Sequence, residues 1–430
     1  MRLIITVVLL IPFMASGQAV NDKALSAAKD IEKKMIDWRR HFHQNPELSN
    51  REFKTAEKIA KHLKSLGMEV QTGVAKTGVV GVLKGGKTGP VVALRADIDA
   101  LPVTERTPVP FASKVKSTYN GVETGVMHAC GHDTHIAILM ATAEVLSSIK
   151  SDIPGTVKFI FQPAEEGAPP GEEGGAKLMV KEGVLQNPEV DAIFGLHISA
   201  GSPVGNISYK PGGTMAAADR FVITVKGKQA HGSTPWNSVD PVVTSAQIIM
   251  GLQTIVSRQT ELTKEAAVIS VGMIEGGVRN NIIPEEVKMI GTIRTLDTEM
   301  QQIIHEKIRL TATRIAESMG ATADVQIEIG YPVTYNDPEL TAKMLPSLQK
   351  SAGKDNVTEV AAVTGAEDFS FFQKEIPGVY IFVGGQPLDA EKTSSKLGGH
   401  HTPDFYIDES GMMTGLKAMI NLTLDYMQMK

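Results

Sequence analysis

One cysteine, Cys130, stands among 430 residues, so an internal disulfide is excluded. A lone thiol is then either an apolar filler or a ligand, and its neighbours decide which. Net charge is also scarce, at −5, and no long basic run interleaves with aromatics, which argues against nucleic acid as a partner. A small-molecule ligand is the expected partner instead. No internal repeat or low-complexity tract is present. Beyond residues 3–14 no comparably long stretch is apolar, so a second membrane candidate is missing as well.

What is there is an ordinary soluble mixture, 42% apolar and 21% charged, on a chain too long for one hydrophobic core. Two units, or three, are expected. Arg2 precedes the apolar run, and the small residues Ala15 and Gly17 follow it. That pattern is a signal peptide cut after Gly17, because its ~12 apolar residues fall short of the ~20 that span a bilayer. The expectation is an exported protein, periplasmic or extracellular, with no membrane attachment after signal removal.

Apolar positions 25, 28, 31, 35, 38 and 42 share one helical stripe that ends at Asn45-Pro46, and a second helix runs near 54–66 with Gly67 as its cap. Short apolar runs at 91–94, 156–161, 192–196 and 379–383 alternate with helical patterns such as 136–149. This implies an α/β fold, a mostly parallel sheet with helices on both faces. Between about 218 and 330 the order changes to strand 221–225, helix 242–258, strands 268–274 and 287–294, helix 300–319 and strand 325–329. That is the split β-α-β of a ferredoxin-like α+β unit. The domains expected are therefore 18–217 and 331–430 as one catalytic unit, with 218–330 inserted.

In His128-Ala129-Cys130-Gly131-His132-Asp133-Thr134-His135 a thiol and three imidazoles crowd into eight positions ahead of a helix. Nitrogen and sulfur donors so close suit a transition metal of the zinc class, whereas a core filler would have apolar neighbours in place of Gly131 and Asp133. Asp133 is expected as helix N-cap or as the orienter of a ligand. Glu165-Glu166 follow a buried strand, where open α/β sheets bind ligands, and adjacent side chains diverge. One glutamate can then bind metal while the other serves as base. His197 closes the strand at 192–196, and His400-His401 supplies a last imidazole pair, with His401 the favoured ligand. Asp97 or Asp99 is expected to orient a ligating histidine, with Arg95 neutralising the pair. His62 and His305 are read on polar helix faces, without a role.

These runs together resemble the co-catalytic metallopeptidase and amidohydrolase family of aminoacylases, hippurate hydrolase and plant auxin-conjugate hydrolases. The resemblance covers Arg39-Arg40 with His43, Pro46-Glu47-Leu48 and Glu52, the run from Arg95 to Pro102, that from Met127 to His135, and Phe161 to Gly167. It continues through Gly195-Leu196-His197, Ala230-His231 with Pro235, Gly276-Gly277 to Asn281 and Pro284, Gly291-Thr292 and Arg294, Gly365 to Phe369, and His401 with Pro403. It implies a catalytic domain with an inserted lid or dimerisation domain, and a homodimer formed through that insert. Two divalent ions, manganese, zinc or cobalt, are implied on Cys130, His132, Glu166, His197 and His401, the thiolate bridging them. Glu165 is implied as general base, His231 as a catalytic and substrate contact, and Asn281 and Arg294 as further substrate contacts. Trp236 departs from the histidine that many relatives carry there. The expected activity is metal-dependent hydrolysis of N-acyl amino acids. Its alternatives are a metallo-carboxypeptidase or dipeptidase and, outside enzymes, a metal carrier.

Overall fold

The computed structural model describes residues 11–389 and 398–429. Of the expected signal peptide, residues 1–10 lie outside the described residues. In chain order the elements are α1 (Ile11–Asp30), α2 (Glu32–Gln44), α3 (Phe53–Ser65), β1 (Glu69–Val74), β2 (Gly78–Lys84), β3 (Lys87–Asp97), β4 (Lys116–Tyr119), β5 (Val122–Gly125) and α4 (His132–Ser148). Next come β6 (Pro154–Gln162), α5 (Gly175–Lys181), β7 (Ala192–Pro203), β8 (Ile207–Tyr209), β9 (Gly212–Met215), β10 (Ala217–Lys226), β11 (Ala230–His231), α6 (Pro241–Gln259) and β12 (Ala267–Gly276). The last are β13 (Ile282–Ile283), β14 (Glu286–Thr295), α7 (Thr298–Ser318), β15 (Thr322–Tyr331), β16 (Thr334–Asn336), α8 (Pro338–Ala352), β17 (Val357–Glu359), α9 (Ser370–Glu375), β18 (Gly378–Gln386) and α10 (Met412–Gln428). Among the described residues no helix is long and apolar enough to cross a membrane.

Two compact units result. The first holds the described residues through Gly212, Asn336–Val360 and Phe371 onward, and the second holds Gly213–Tyr335 with Ala361–Ser370. In the first, an eight-stranded sheet runs β1-β2-β6-β3-β7-β18-β8-β17. Its centre, β6, β3, β7 and β18, is parallel. β1, β2 and β8 join antiparallel. The central strands read as continuous apolar runs because helices and neighbouring strands cover them, and β6 is buried from Val157 to Gln162.

The helix α4 is buried on nearly every side, from His132 to Ala143 without a break. It packs on β3, β6 and β7 while α1, α2 and α10 cover its back. A helix apolar all round belongs in such a sandwich. Its start depends on Gly131, whose φ of 96° is left-handed and where an added Cβ would come within 2.4 Å of the Ile198 Cγ2. The stripe read as one helix at 25–42 is two, α1 and α2, parted at Ile31.

The second unit is a four-stranded antiparallel sheet in the order β12-β14-β10-β15, with α6 and α7 packed on it. Chain order β10-α6-β12-β14-α7-β15 on that sheet is the ferredoxin-like arrangement. Its own core gathers Phe221, Ile248, Leu252, Met289, Ile304 and Ile308.

Candidate metal centre

The chain leaves the carboxyl end of β3 toward β6 and that of β7 toward β18, so a crevice opens where these connections part. Asp97 ends β3, and His197 stands on β7 at the same level, two residues past the Arg95–Gly195 pair. Glu165 and Glu166 lie in the loop after β6, and Cys130 and His132 flank Gly131 at the head of α4. His401 comes from the segment ahead of α10, its amide bonded to the Ala129 carbonyl at 2.8 Å. All of these belong to the first unit.

Their donor atoms converge. The Cys130 Sγ lies 3.3 Å from the Nε2 of His197 and 3.3 Å from that of His401. The His401 Nε2 is 3.2 Å from the Glu166 Oε1, while the His132 Nε2 is 3.8 Å from the Glu165 Oε2 and 3.9 Å from the Glu166 Oε1. Donors sharing one tetrahedral ion of the zinc class stand roughly 3.3–3.8 Å apart, given bond lengths near 2.0–2.3 Å. In overlapping triads, Cys130 with Glu166 and His401, Cys130 with His197 and His400, and His132 with Glu165 and Glu166, the donor atoms all lie within 4.8 Å of one another.

Hydrogen bonds select which nitrogen each histidine offers. The His132 Nδ1–H donates to the Asp99 carbonyl at 2.9 Å, and the His197 Nδ1–H to the Ile198 carbonyl at 2.6 Å. Both rings therefore turn an Nε2 lone pair inward. His400 differs: its Nδ1–H donates to the Cys130 carbonyl at 3.1 Å and its Nε2 accepts the Ala200 amide at 3.1 Å. With both nitrogens engaged His400 is a brace, and His401 is left to face the cluster. His135 is committed likewise, to Asp97 at 2.5 Å and to the Ile198 amide at 2.8 Å.

The His132 Nε2 is buried with no hydrogen-bond partner among the described residues. An unsatisfied buried polar atom costs about 1–3 kcal/mol, a penalty that a bound cation removes. The electrostatics agree. Burial opposes charge on His132, but Asp97, Asp99 and Glu166 outweigh it and push the imidazole up to about 10. Burial, with Glu166, Glu165 and Asp97 adding to it, drives the Cys130 thiol well above its usual value. A pocket that grips protons this firmly is electronegative, and a divalent ion competes for the same donors. The residues present fit a pair of cations.

Around the donors lies a buried scaffold. The Asp99 carboxylate accepts the Glu165 and Glu166 amides at 3.1 Å each and the Ser49 hydroxyl at 2.7 Å, which fixes the loop carrying both glutamates. Asp97 is held by the buried Arg95 at 2.7 Å and, despite burial, stays well below the usual carboxylate range beside His132 and His135. Asp133 is not the helix cap that its position suggested: Gly131 occupies that place, and Asp133 binds the Arg39 Nε at 2.8 Å and the His43 Nδ1 at 2.9 Å. Burial disfavours the charged His43, yet Asp133 and Glu105 prevail and raise it.

Other expectations need correcting. His197 does not close its strand, since β7 continues to Pro203. His305 is buried against Asp219 at 2.7 Å, and His62 is half-buried with its Nε2 on the Met140 carbonyl at 3.2 Å. Both are structural residues in place of solvated ones. Three positioning groups carried no assignment from sequence: Ser49, Glu105 and Glu52. The Glu52 carboxyl accepts the Ala164 amide at 2.9 Å and the Thr77 hydroxyl at 2.6 Å, holding Ala164 at a left-handed φ of 52° just before the glutamate pair.

His231, Asn281 and Arg294 all lie in the second unit. β11 pairs with β13, and the Gly232 amide donates to the Asn281 carbonyl at 2.8 Å, so His231 and Asn281 are neighbours. The exposed His231 accepts the Ser233 amide on Nδ1 at 3.0 Å, which leaves its ring proton on Nε2. The Asn281 Oδ1 is buried without a partner, Arg294 sits half-buried on β14, and Trp236 is exposed.

Comparison with known proteins gives concordant results. The model of peptidase family M20/M25/M40 matches residues 93–425. A thermostable carboxypeptidase 2 of Saccharolobus solfataricus is 40% identical over 94% of this chain and 98% of its own length. An N-acetylcysteine deacetylase of Bacillus subtilis is 39% identical over 90% of this chain and 95% of its own. Among solved structures, the Bacillus subtilis YxeP protein, a dinuclear metal-binding peptidase of the M20 family, superposes with a TM-score of 0.76 at 36% identity, covering 93% of this chain and 99% of that one.

Proposed function

Because the chain belongs to peptidase family M20/M25/M40, we propose that it is an exported amidohydrolase that splits N-acetyl, N-benzoyl or indoleacyl amino acids into a carboxylic acid and a free amino acid. The observation that carries this reading is the convergence of thiol, imidazole and carboxylate donors with a second carboxylate, Glu165, beside them. A storage site has no use for that extra acid. Two divalent ions held by Cys130, His132, Glu166, His197 and His401 would acidify a water and draw charge from the substrate carbonyl. Glu165 takes the water's proton and delivers it to the departing nitrogen. His231, with a proton on Nε2, is the donor for developing charge on the carbonyl oxygen, and Asn281 and Arg294 are further substrate contacts. Softness of the donors favours zinc, with manganese and cobalt as the alternatives.

The 40% identical carboxypeptidase supports a second reading, cleavage of peptides with a free C-terminus. A panel of N-acyl amino acids and free dipeptides, run with each metal, separates the two. In the same assay Glu165→Ala is expected to lose about 100- to 10,000-fold in turnover with metal content unchanged, and His231→Ala to lose turnover without losing metal. Retained activity in Glu165→Ala sinks its role as base, and a fully metallated protein that hydrolyses no amide points to a carrier. Export rests on the composition of residues 2–17 and is tested by the mature N-terminus, expected at Gln18. The homodimer is assigned to the edge strand β12, where Met273 and Ile274 are exposed.

A further inference from the structure

Beside the metal centre, within the first unit, lies a cavity of about 380 Å³. Glu166 and Gly167 form the wall nearest the donors, and Leu48 and Leu101 line it with Phe53 and Tyr119. Its far wall is the β4–β5 hairpin, from Ser117 to Asn120. We propose that this cavity receives the acyl group of the substrate and that the hairpin sets how long an acyl group is accepted, an inference that rests on the amidohydrolase reading.

Charge decides which half of an N-acyl amino acid fits. The amino-acid half ends in a carboxylate and requires a free cation. Among the described residues, the one cation on this lining, Arg51, is already paired with Glu172 at 2.6 Å and with the Asn50 carbonyl at 2.9 Å. A carboxylate buried in that cavity would give up its water with no free cation among the described lining residues to replace it, a cost a neutral hydrocarbon does not carry. Size points the same way, since the volume lies in the range of small-molecule sites and an acetyl methyl leaves most of it unfilled.

The hairpin stands apart from the main sheet. Its turn, Asn120-Gly121, has φ of 50° and 80°, the left-handed pair of a tight two-residue hairpin. β4 and β5 pair only with each other among the described strands, and both are exposed or half-buried throughout. They contribute no side chain to the main core, yet bonds from Thr124 to the Pro102 carbonyl and from Gly125 to the Thr104 hydroxyl tie the hairpin to the segment bearing Leu101. Trimming it therefore changes the wall and spares the fold.

The test is a series of N-acetyl, N-butanoyl, N-hexanoyl and N-benzoyl derivatives of one amino acid, on metal-loaded protein. Wild type is expected to gain about fourfold in kcat/KM per methylene buried. Leu101→Trp, which fills the cavity, should lower the hexanoyl and benzoyl values at least about tenfold more than it lowers the acetyl value. Replacing residues 117–124 by a short glycine link should flatten the series without the need to repack Leu101. No gain with acyl length in wild type, or equal losses on every substrate in both variants, overturns the proposal. Calorimetry with hexanoate against acetate reads the cavity without turnover. Tighter hexanoate binding in a protein that hydrolyses nothing keeps the cavity and rejects the amidohydrolase, and hydrolysis with no preference for the longer acid does the reverse.

Discussion

The Glu52 carboxyl is buried between Thr77 and the Ala164 amide with Asp99 nearby, and burial together with that second acid raises it from 4.5 to about 8. In the unfolded chain it ionises near 4.5, so between 4.5 and about 8 unfolding releases a proton and stability falls as pH rises, the loss being complete above the folded value. Glu52→Gln keeps a neutral group in place. The urea midpoint of wild type should drop from pH 5 to pH 9 more than that of the variant, and parallel curves would remove Glu52 as the source. Cys130 and His132 give a second measurement. Both hold protons firmly without metal, so loading at pH 7 should release about two protons per subunit, read by calorimetry in buffers of different ionisation heat. Uptake with no proton release would place the ions elsewhere. The donor residues were legible because chemistry crowds them into short runs. The grip of Asp99 on two amides and of Glu52 on Ala164 was not, since each depends on chain segments that meet only in the fold.

At the scale of elements, α4 carries His132, Asp133 and His135, and its geometry starts at Gly131. Gly131→Ala combines a left-handed φ with a 2.4 Å approach to Ile198. A destabilisation of at least about 2 kcal/mol is expected, with weaker metal retention, measured by denaturant titration and metal analysis. An unchanged midpoint would mean that Ile198 yields freely. The central strands and both long helices of the second unit could be read from apolar runs and periodicity. β1 and β2 could not. β1 is exposed along almost its whole length, and β2 is a short glycine-broken run, so neither offers the alternation that marks a strand. The break at Ile31 escaped for a related reason: the stripe of buried positions continues across it, from Ala28 to Met35.

For the whole molecule, the ferredoxin-like unit has its own core, and among the described strands β12 stands at the edge of its sheet with β14 as its neighbour. Ile274→Arg places charge on that edge. Light scattering should find a dimer in wild type and a monomer in the variant, with turnover on N-acetyl substrates still measurable. A monomeric wild type would discard the assignment. The parallel sheet and the ferredoxin-like order were both evident from the alternation of elements along the chain, because each unit keeps its own hydrophobic rhythm.

The centre is not equally firm on all sides. His132 and His197 ride on a buried helix and a central strand, whereas Glu166 and His401 hang from loops, and the His401 side chain is 55% exposed against 1% for His132. The first pair cannot swing away unless packed layers come apart, so ions held here would be expected to come and go past His401, whose ring reaches solvent.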